Sequence, residues 1–262
     1  MEHTVYTRDL QKMADDIIDA TEPLAKFYPE KLNEFLKVLV GIYRRNLFTL
    51  VGIRYLTNRS KLGDSALDLA RKMIEDTVSV EWMILKGKEE KAKQFQGYLS
   101  VQLNRDLEFM RALGVDPATS GLNIDVGKVE KDYEKVKREF THYSGKGYWQ
   151  SWAKTNVEQM IEELSTKGAF DEWTTSRVSI GYILGCWKNH LNPHDVIVFL
   201  DGDIHIEASE EATRQALVFG TTCMLRLTTR YIDEIRFAYG KNEFEDIAKK
   251  VKDIFDRMNA DA

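Results

Sequence analysis

The chain carries four prolines, Pro23, Pro29, Pro117 and Pro193, and each falls where the surrounding apolar pattern starts or stops. A proline inside a helix costs about 3 kcal/mol, because it removes an amide donor and its ring meets the carbonyl one turn back. Their placement leaves long stretches free to wind without a break. In those stretches apolar residues recur with a period near 3.6, the mark of amphipathic helices. Thr7 is placed to cap a first helix running to about Ala20. Residues 30–58 read as a second, with Leu32, Phe35, Leu36, Leu39, Tyr43, Leu50 and Ile53 on one face. Asp64 or Ser65 supplies an N-cap for a third. A fourth spans 88–113 and stops at Gly114 and Pro117. Residues 114–127 form a polar loop, the one candidate seam in a single helical domain over residues 1–262. Further on come a charged helix from Lys128 to Tyr143, a loop rich in Gly and Trp, and helices over 153–166, 170–190, about 208–239 and 242–258.

One segment breaks the pattern. In "DVIVFLDGDIHIEAS" β-branched residues flank Asp201-Gly202. Asp-Gly between such runs signals a tight hairpin, whose turn needs positive φ at both central positions. The expected fold is therefore mainly α, a multi-helix bundle of about eight helices with one small β-hairpin near 196–207.

Composition narrows the function classes. With 43% hydrophobic and 30% charged residues the chain can bury a core, unlike a disordered segment. A net charge of −5 gives no chain-wide basic field for nucleic acid, although a local patch is compatible with it. The most apolar stretch, Phe35 to Leu56, is interrupted by Lys37, Arg44, Arg45, Asn46 and Arg54, so no membrane span is expected. The first residues lack the apolar run of a signal peptide. Cys186 and Cys223, both in apolar helical surroundings, read as reduced packing thiols, and the expected compartment is the cytoplasm.

Polar residues on apolar stripes are more informative. In "SALDLARKMIEDTVSVEWMIL" (65–85) Glu81 falls within the apolar side of a helix, near Ala70, Ile74 and Thr77. Asn46 and Arg54 do the same on the second helix, Asp106 on the fourth, and Arg230 and Glu234 on the long C-terminal helix. A buried charge is costly unless paired and hydrogen-bonded. Glu81 therefore either pairs with Arg54 or Arg230 to fix helix register, or lines a polar pocket for a ligand or metal. Arg71 and Glu75 form an i, i+4 pair on the flank of the same helix.

The histidines cluster in "KNHLNPHDVIVFLDGDIHIE". His194, Asp195, Asp203 and His205 are ligand types for a divalent metal, and Asp203 and His205 would share one face of a hairpin. The proline between His190 and His194 spoils the helical spacing of a chelating pair. The alternative is that His194 packs at a helix-to-hairpin turn while the aspartates serve the turn. "YWQSW" (148–152), with Lys146 and Lys154 near it, offers stacking surfaces for bases, or its two tryptophans fasten the loop to the core. Ser179, Gly181, Gly185 and Cys186 predict the close approach of another helix, as across a homodimer interface. The motifs of phosphate loops, dinucleotide folds, zinc proteases, serine hydrolases and dithiol centres do not occur. Arg138 and His142 are too closely spaced for the toxin-type helical ribonucleases.

"LARKMIEDTVSVEWMI", "YWQSWA" and "YILGCWKNHLNPHDVIVFL" together give a chain that resembles an uncharacterised all-helical prokaryotic family, described only as a domain of unknown function. The shared pattern is Arg-x-x-x-Glu on an early helix, a Trp-containing loop, and Tyr-x-x-x-Ser-x-x-x-His near a later helix end. Its matching positions are Arg71, Glu75, Trp149 and Tyr182, with either His190 or His194. Cys186 stands where the family has serine. The resemblance implies an all-helical fold and no established activity. Proteins of this look have been likened to modules that handle nucleotides or nucleic acids.

Three functional readings stay open. The first is a binding module whose inter-helix pocket, lined by Arg71, Glu75, Glu81, Trp149, Tyr182 and His190 or His194, takes a nucleotide-like or nucleic-acid ligand. The second is a phosphodiesterase or nuclease, its divalent metal held by His194, Asp195, Asp203 and His205. The third is a structural protein whose charges pair internally.

Overall fold

The structure is a computed structural model. It describes residues 2–58, 62–119, 121, 124–142, 147–190, 197–200, 203–206, 210–240 and 244–260, with side chains described for 6–58, 62–119, 121, 124–142, 147–186, 210–240 and 244–258. Among the described residues there are nine helices and two short strands: α1 Glu2–Lys26, α2 Glu34–Thr57, α3 Gly63–Lys86, α4 Lys88–Ala112, α5 Val126–Phe140, α6 Val157–Thr166, α7 Glu172–His190, β1 Ile197–Leu200, β2 Asp203–Ile206, α8 Glu210–Tyr239 and α9 Glu245–Ala260. The protein is a mainly α bundle. The two strands pair antiparallel, Ile197 opposite Ile206 and Leu200 opposite Asp203, and join no larger sheet.

Helices α3 and α8 form the axis of the bundle. They pack on each other, α2 packs on both, and α1 closes over α2 and α8. The sequence places fully buried residues where these helices meet: Leu39, Tyr43, Leu50 and Ile53 from α2, Ala66, Ala70, Met73 and Ile74 from α3, and Ala216, Leu227 and Tyr231 from α8. The Tyr43 and Tyr231 rings are 4.6 Å apart. Around this axis α7 and α6 cover α3, α5 returns on α4, and α9 packs on α1 and α8. A single residue, Gly87, separates α3 from α4, and its φ of 105° is open at little cost only to glycine.

Several helix ends differ from the sequence reading, each for a local reason. α1 runs past Ala20 and through Pro23, and Thr7 lies inside it rather than at its cap. Pro23 falls in the last turn, and Arg44 donates to the terminal carbonyls of Ala25 and Phe27, at 2.8 and 3.3 Å. α2 starts at Glu34 because the Asn33 side chain accepts from the Leu36 amide, a cap inside the span assigned to helix. α3 begins at Gly63 with no side-chain cap, so neither Asp64 nor Ser65 plays that part. α6 begins at Val157, where Asn156 and Gln159 form a capping box. On α4 the line through Leu99, Gln102 and Asp106 faces solvent; Ala92, Tyr98, Val101 and Leu107 carry the buried face instead. Among the described residues no helix is long and apolar enough to cross a membrane.

Candidate functional site

α3 carries two nearly buried carboxylates five residues apart. Five residues turn a helix by about 140° beyond a full turn, so they serve different neighbours. Glu81 faces α8. Its Oε1 accepts from Arg226 Nε at 2.6 Å and from Arg230 Nε at 2.7 Å, and its Oε2 accepts from Arg230 Nη2 at 2.9 Å. Arg226 also donates to the Ala169 carbonyl. Burial works against the Arg230 charge, but the hydrogen bonds and charge of Glu81 outweigh it, and Arg230 sits above its ordinary value. Of the two partners expected for Glu81, Arg230 is present and Arg54 is not. Arg54 is taken by Asp15 of α1, 2.8 Å away. Arg226 is the partner that sequence reasoning missed.

Asp76 faces α2. The Arg45 guanidinium grips it through Nε at 2.9 Å and Nη2 at 2.6 Å, and the Asn46 amide donates at 2.9 Å. Asn46 also donates to the Ile42 carbonyl, which explains a polar residue on the core face of α2. Lys72 stands 3.7 Å from both Asp76 and Glu75. These groups lie along a groove of about 650 Å³ between α2, α3, α4, α6 and the loop 150–152. Lys37, Arg45 and Lys72 supply cations there, and Phe95, Tyr98, Leu99 and Trp152 supply apolar wall.

Three of the residues that carry the family resemblance, Arg71, Glu75 and Tyr182, gather beside this groove. The Arg71 Nε is 3.2 Å from Glu75, and its guanidinium carbon is 5.6 Å from the centre of the Tyr182 ring. Burial pushes the Tyr182 phenol up to about 12; the Cys186 thiol and the Glu75 carboxylate add to the shift and Arg71 opposes it. The approach depends on Gly185. A Cβ there would stand 2.6 Å from the Arg71 Cβ, and one at Gly181 would stand 2.6 Å from Ile74 and 2.9 Å from Phe219. The small-residue face of α7 is thus filled by α3 and α8 of the same chain, which removes the reason for expecting it at a homodimer interface. Glu75 belongs to both the Arg71–Tyr182 cluster and the groove.

Other expected members are not brought to this place. Glu81, six residues after Glu75, lies about 120° round the helix and belongs to the α8 cluster. The Trp149 ring is 4.6 Å from His142, and the Trp149 carbonyl accepts from the Tyr98 hydroxyl at 2.8 Å. Trp152 is buried between Trp82 and Phe95, at 5.5 and 5.3 Å, so this tryptophan fastens the loop to the core. His190 ends α7 and Asp203 and His205 lie in β2, with their side chains outside the described set; His194, Asp195 and Lys146 lie outside the described residues altogether. Among the described residues no three His, Cys, Asp or Glu side chains come together as metal ligands. Cys186 and Cys223 are free thiols.

With these positions fixed, the comparison with known families is decisive. A family model matches residues 36–201, from α2 to the end of β1. The chain belongs to the family of unknown function DUF5677. No curated protein and no solved structure matches it. The matched span contains Arg71, Glu75, Asp76 and Tyr182 and excludes α8 and α9, so the groove lies within the family region while both arginines that hold Glu81 lie outside it.

Proposed function

We propose that this protein is a binding module that takes a nucleotide-like ligand in the groove between α2, α3, α4 and α6, its phosphate near Lys72 and Arg45. A volume of about 650 Å³ falls within the range of small-molecule sites, about 300–1,000 Å³. Three cations and two carboxylates line the groove, so its lining favours an anion. The observation that carries this reading is Lys72. Its side chain is half exposed, and at 3.7 Å both of its acidic neighbours are beyond hydrogen-bond reach, so its donors are left for a phosphate. Arg45 spends one edge on Asp76 and keeps further N–H donors. Phe95 and the exposed Leu99 offer an apolar rest for a base, with Gln102 and Gln150 at hand for its polar edge.

Isothermal titration with ATP, AMP, adenosine and short single-stranded oligonucleotides tests this. ATP or AMP is expected to bind and adenosine to bind far more weakly, and Lys72→Glu is expected to weaken the nucleotide about tenfold or more, as loss of a charge-assisted contact should. Equal responses to ATP and adenosine, an affinity unchanged by Lys72→Glu, or no response to any of these probes would reject the reading. Glu81 has no place in it: with three hydrogen bonds from two arginines, its carboxylate is already satisfied within the chain.

A further inference from the structure

A second cavity, independent of the groove, lies between the start of α7 and helices α8 and α9. It holds about 350 Å³ and is walled mainly by Trp173, Leu225, Ile232, Val251 and Phe255. Its charged lining is Arg226, Arg236, Lys252 and Asp233; Arg226 is already held by Glu81, and Arg236 lies 3.5 Å from Glu245. Two N–H donors on lining residues, Trp173 Nε1 and Arg236 Nε, are buried and have no hydrogen-bond partner. Native chains seldom leave buried donors unmet, and such donors call for a partner. One cation beside the cavity is not answered in this way. The Arg177 guanidinium carbon lies 3.9 Å from the centre of the Trp173 ring, burial holds this arginine below its ordinary value, and it has no ion pair among the described residues.

We propose that this cavity binds a small monocarboxylate with an apolar body, such as a medium-chain fatty acid or an arylalkanoic acid. Two unmet donors suit the two oxygens of one carboxylate, and Arg177, stacked on Trp173 with no ion pair among the described residues, favours its charge. The aromatic and aliphatic wall, with Trp173 and Phe255 edge to face at 5.0 Å, suits a short hydrocarbon or ring. A polyphosphate would meet too few donors and too much apolar surface. The walls supplied by α8 and α9 fall after residue 201, outside the family match.

The test titrates 4-phenylbutyrate and octanoate into the full chain by calorimetry, with 4-phenylbutanamide and 1-octanol as uncharged counterparts. The acids are expected to bind at least about tenfold more tightly than their uncharged counterparts. Trp173→Phe, which keeps the ring and removes the donor, is expected to weaken the acids about tenfold. Saturating ATP and Lys72→Glu are both expected to leave acid binding unchanged, which separates this site from the groove whatever the fate of the nucleotide reading. No heat with either acid at millimolar concentration, equal binding of acid and amide, displacement by ATP, or indifference to a folded Trp173→Phe variant would each overturn the proposal. Should that variant fail to fold, the acid-to-amide ratio in the unsubstituted chain decides alone.

Discussion

Asp76 and Glu81 sit on one helix, are equally hidden, and are both gripped by arginine, yet they belong to different kinds of structure. The side chains of Asp76 and Glu81 are 6% and 1% exposed. Their partners are what differ. Arg226 and Arg230, around Glu81, are 24% and 28% exposed and come from the central α8. Arg45 and Lys72, around Asp76, are 48% and 52% exposed and open onto a groove. A carboxylate whose cations are also withdrawn from water fixes the packing of two helices. One whose cations remain wet holds them in place for something else. Burial of the acid alone does not separate the two roles; exposure of its partners does.

The sharpest way to break the comparison is to remove each acid. Glu81→Leu leaves two guanidiniums facing each other with no anion between them. Losing one partner of a buried ion pair costs about 3–5 kcal/mol, and because these arginines keep some access to water the loss is expected near the low end, about 3 kcal/mol. Urea unfolding measures it, and adding Arg230→Met to the same chain is expected to restore part of the loss.

Alkali should strike the same closed side next. Tyr231 follows Arg230 on α8 and is fully buried, and burial pushes its phenol up to about 12 from the ordinary 10. The unfolded chain then gives up this proton first as pH rises. It holds fewer protons than the folded chain, so stability falls with pH. The contribution is complete below about pH 10 and is lost as pH rises through about 12, with a ceiling of about 2–3 kcal/mol for a shift of this size. Thermal or urea unfolding from pH 8 to 12 is expected to decline over that window, and less steeply in Tyr231→Phe.

How much of this was legible in the sequence follows from how local each signal is. The α2 stripe from Phe35 to Ile53 needs only the helical period, and its residues are buried as read. That Glu81 needs an arginine follows from the same period together with the cost of burying charge. Which arginine answers depends on the rotation of α8 against α3, which no local pattern encodes. Arg54 was equally eligible until Asp15 on α1 claimed it. The phase of α4 was misread because Leu99 and Leu113 are apolar but stay exposed, at 54% and 63%. Asp76 was missed although a signal existed. Asn46 on the core face of α2, beside Arg45, called for a carboxylate from a facing helix, and α3 carries one beside the family pair Arg71 and Glu75.

Removing the other acid should give a different pattern. Asp76→Asn keeps the shape and an acceptor for Arg45, and Arg45 is exposed enough to turn to water. The expected loss is about 1.5 kcal/mol, the low end for hydrogen bonds to a charged group. Its effect on binding is expected to have the opposite sign to its effect on stability. Taking one negative charge from the lining makes the groove more cationic, so ATP should bind more tightly while the fold weakens. A variant that lost stability and binding together would place Asp76 with Glu81 as packing only.

The smallest effect discriminates most finely, because it reads the wetness of each ion pair directly. Lys72 and Asp76 are 3.7 Å apart with the lysine half in solvent, so a double-mutant cycle between them should yield no more than about 0.3–0.5 kcal/mol at low salt. The Debye length shrinks from about 30 Å at about 0.01 M salt to about 3 Å at about 1 M. That is shorter than the gap between these two groups, and the coupling should vanish there. The same cycle on Glu81 and Arg230 should keep most of its value, because direct hydrogen bonds at 2.7 and 2.9 Å leave no ions between the charges. If both couplings fell together with salt, the Glu81 cluster would be as wet as the groove. The contrast between a sealed and an open carboxylate on α3 would then be lost, and with it the reason for seeking the nucleotide phosphate at Lys72 rather than at Arg226.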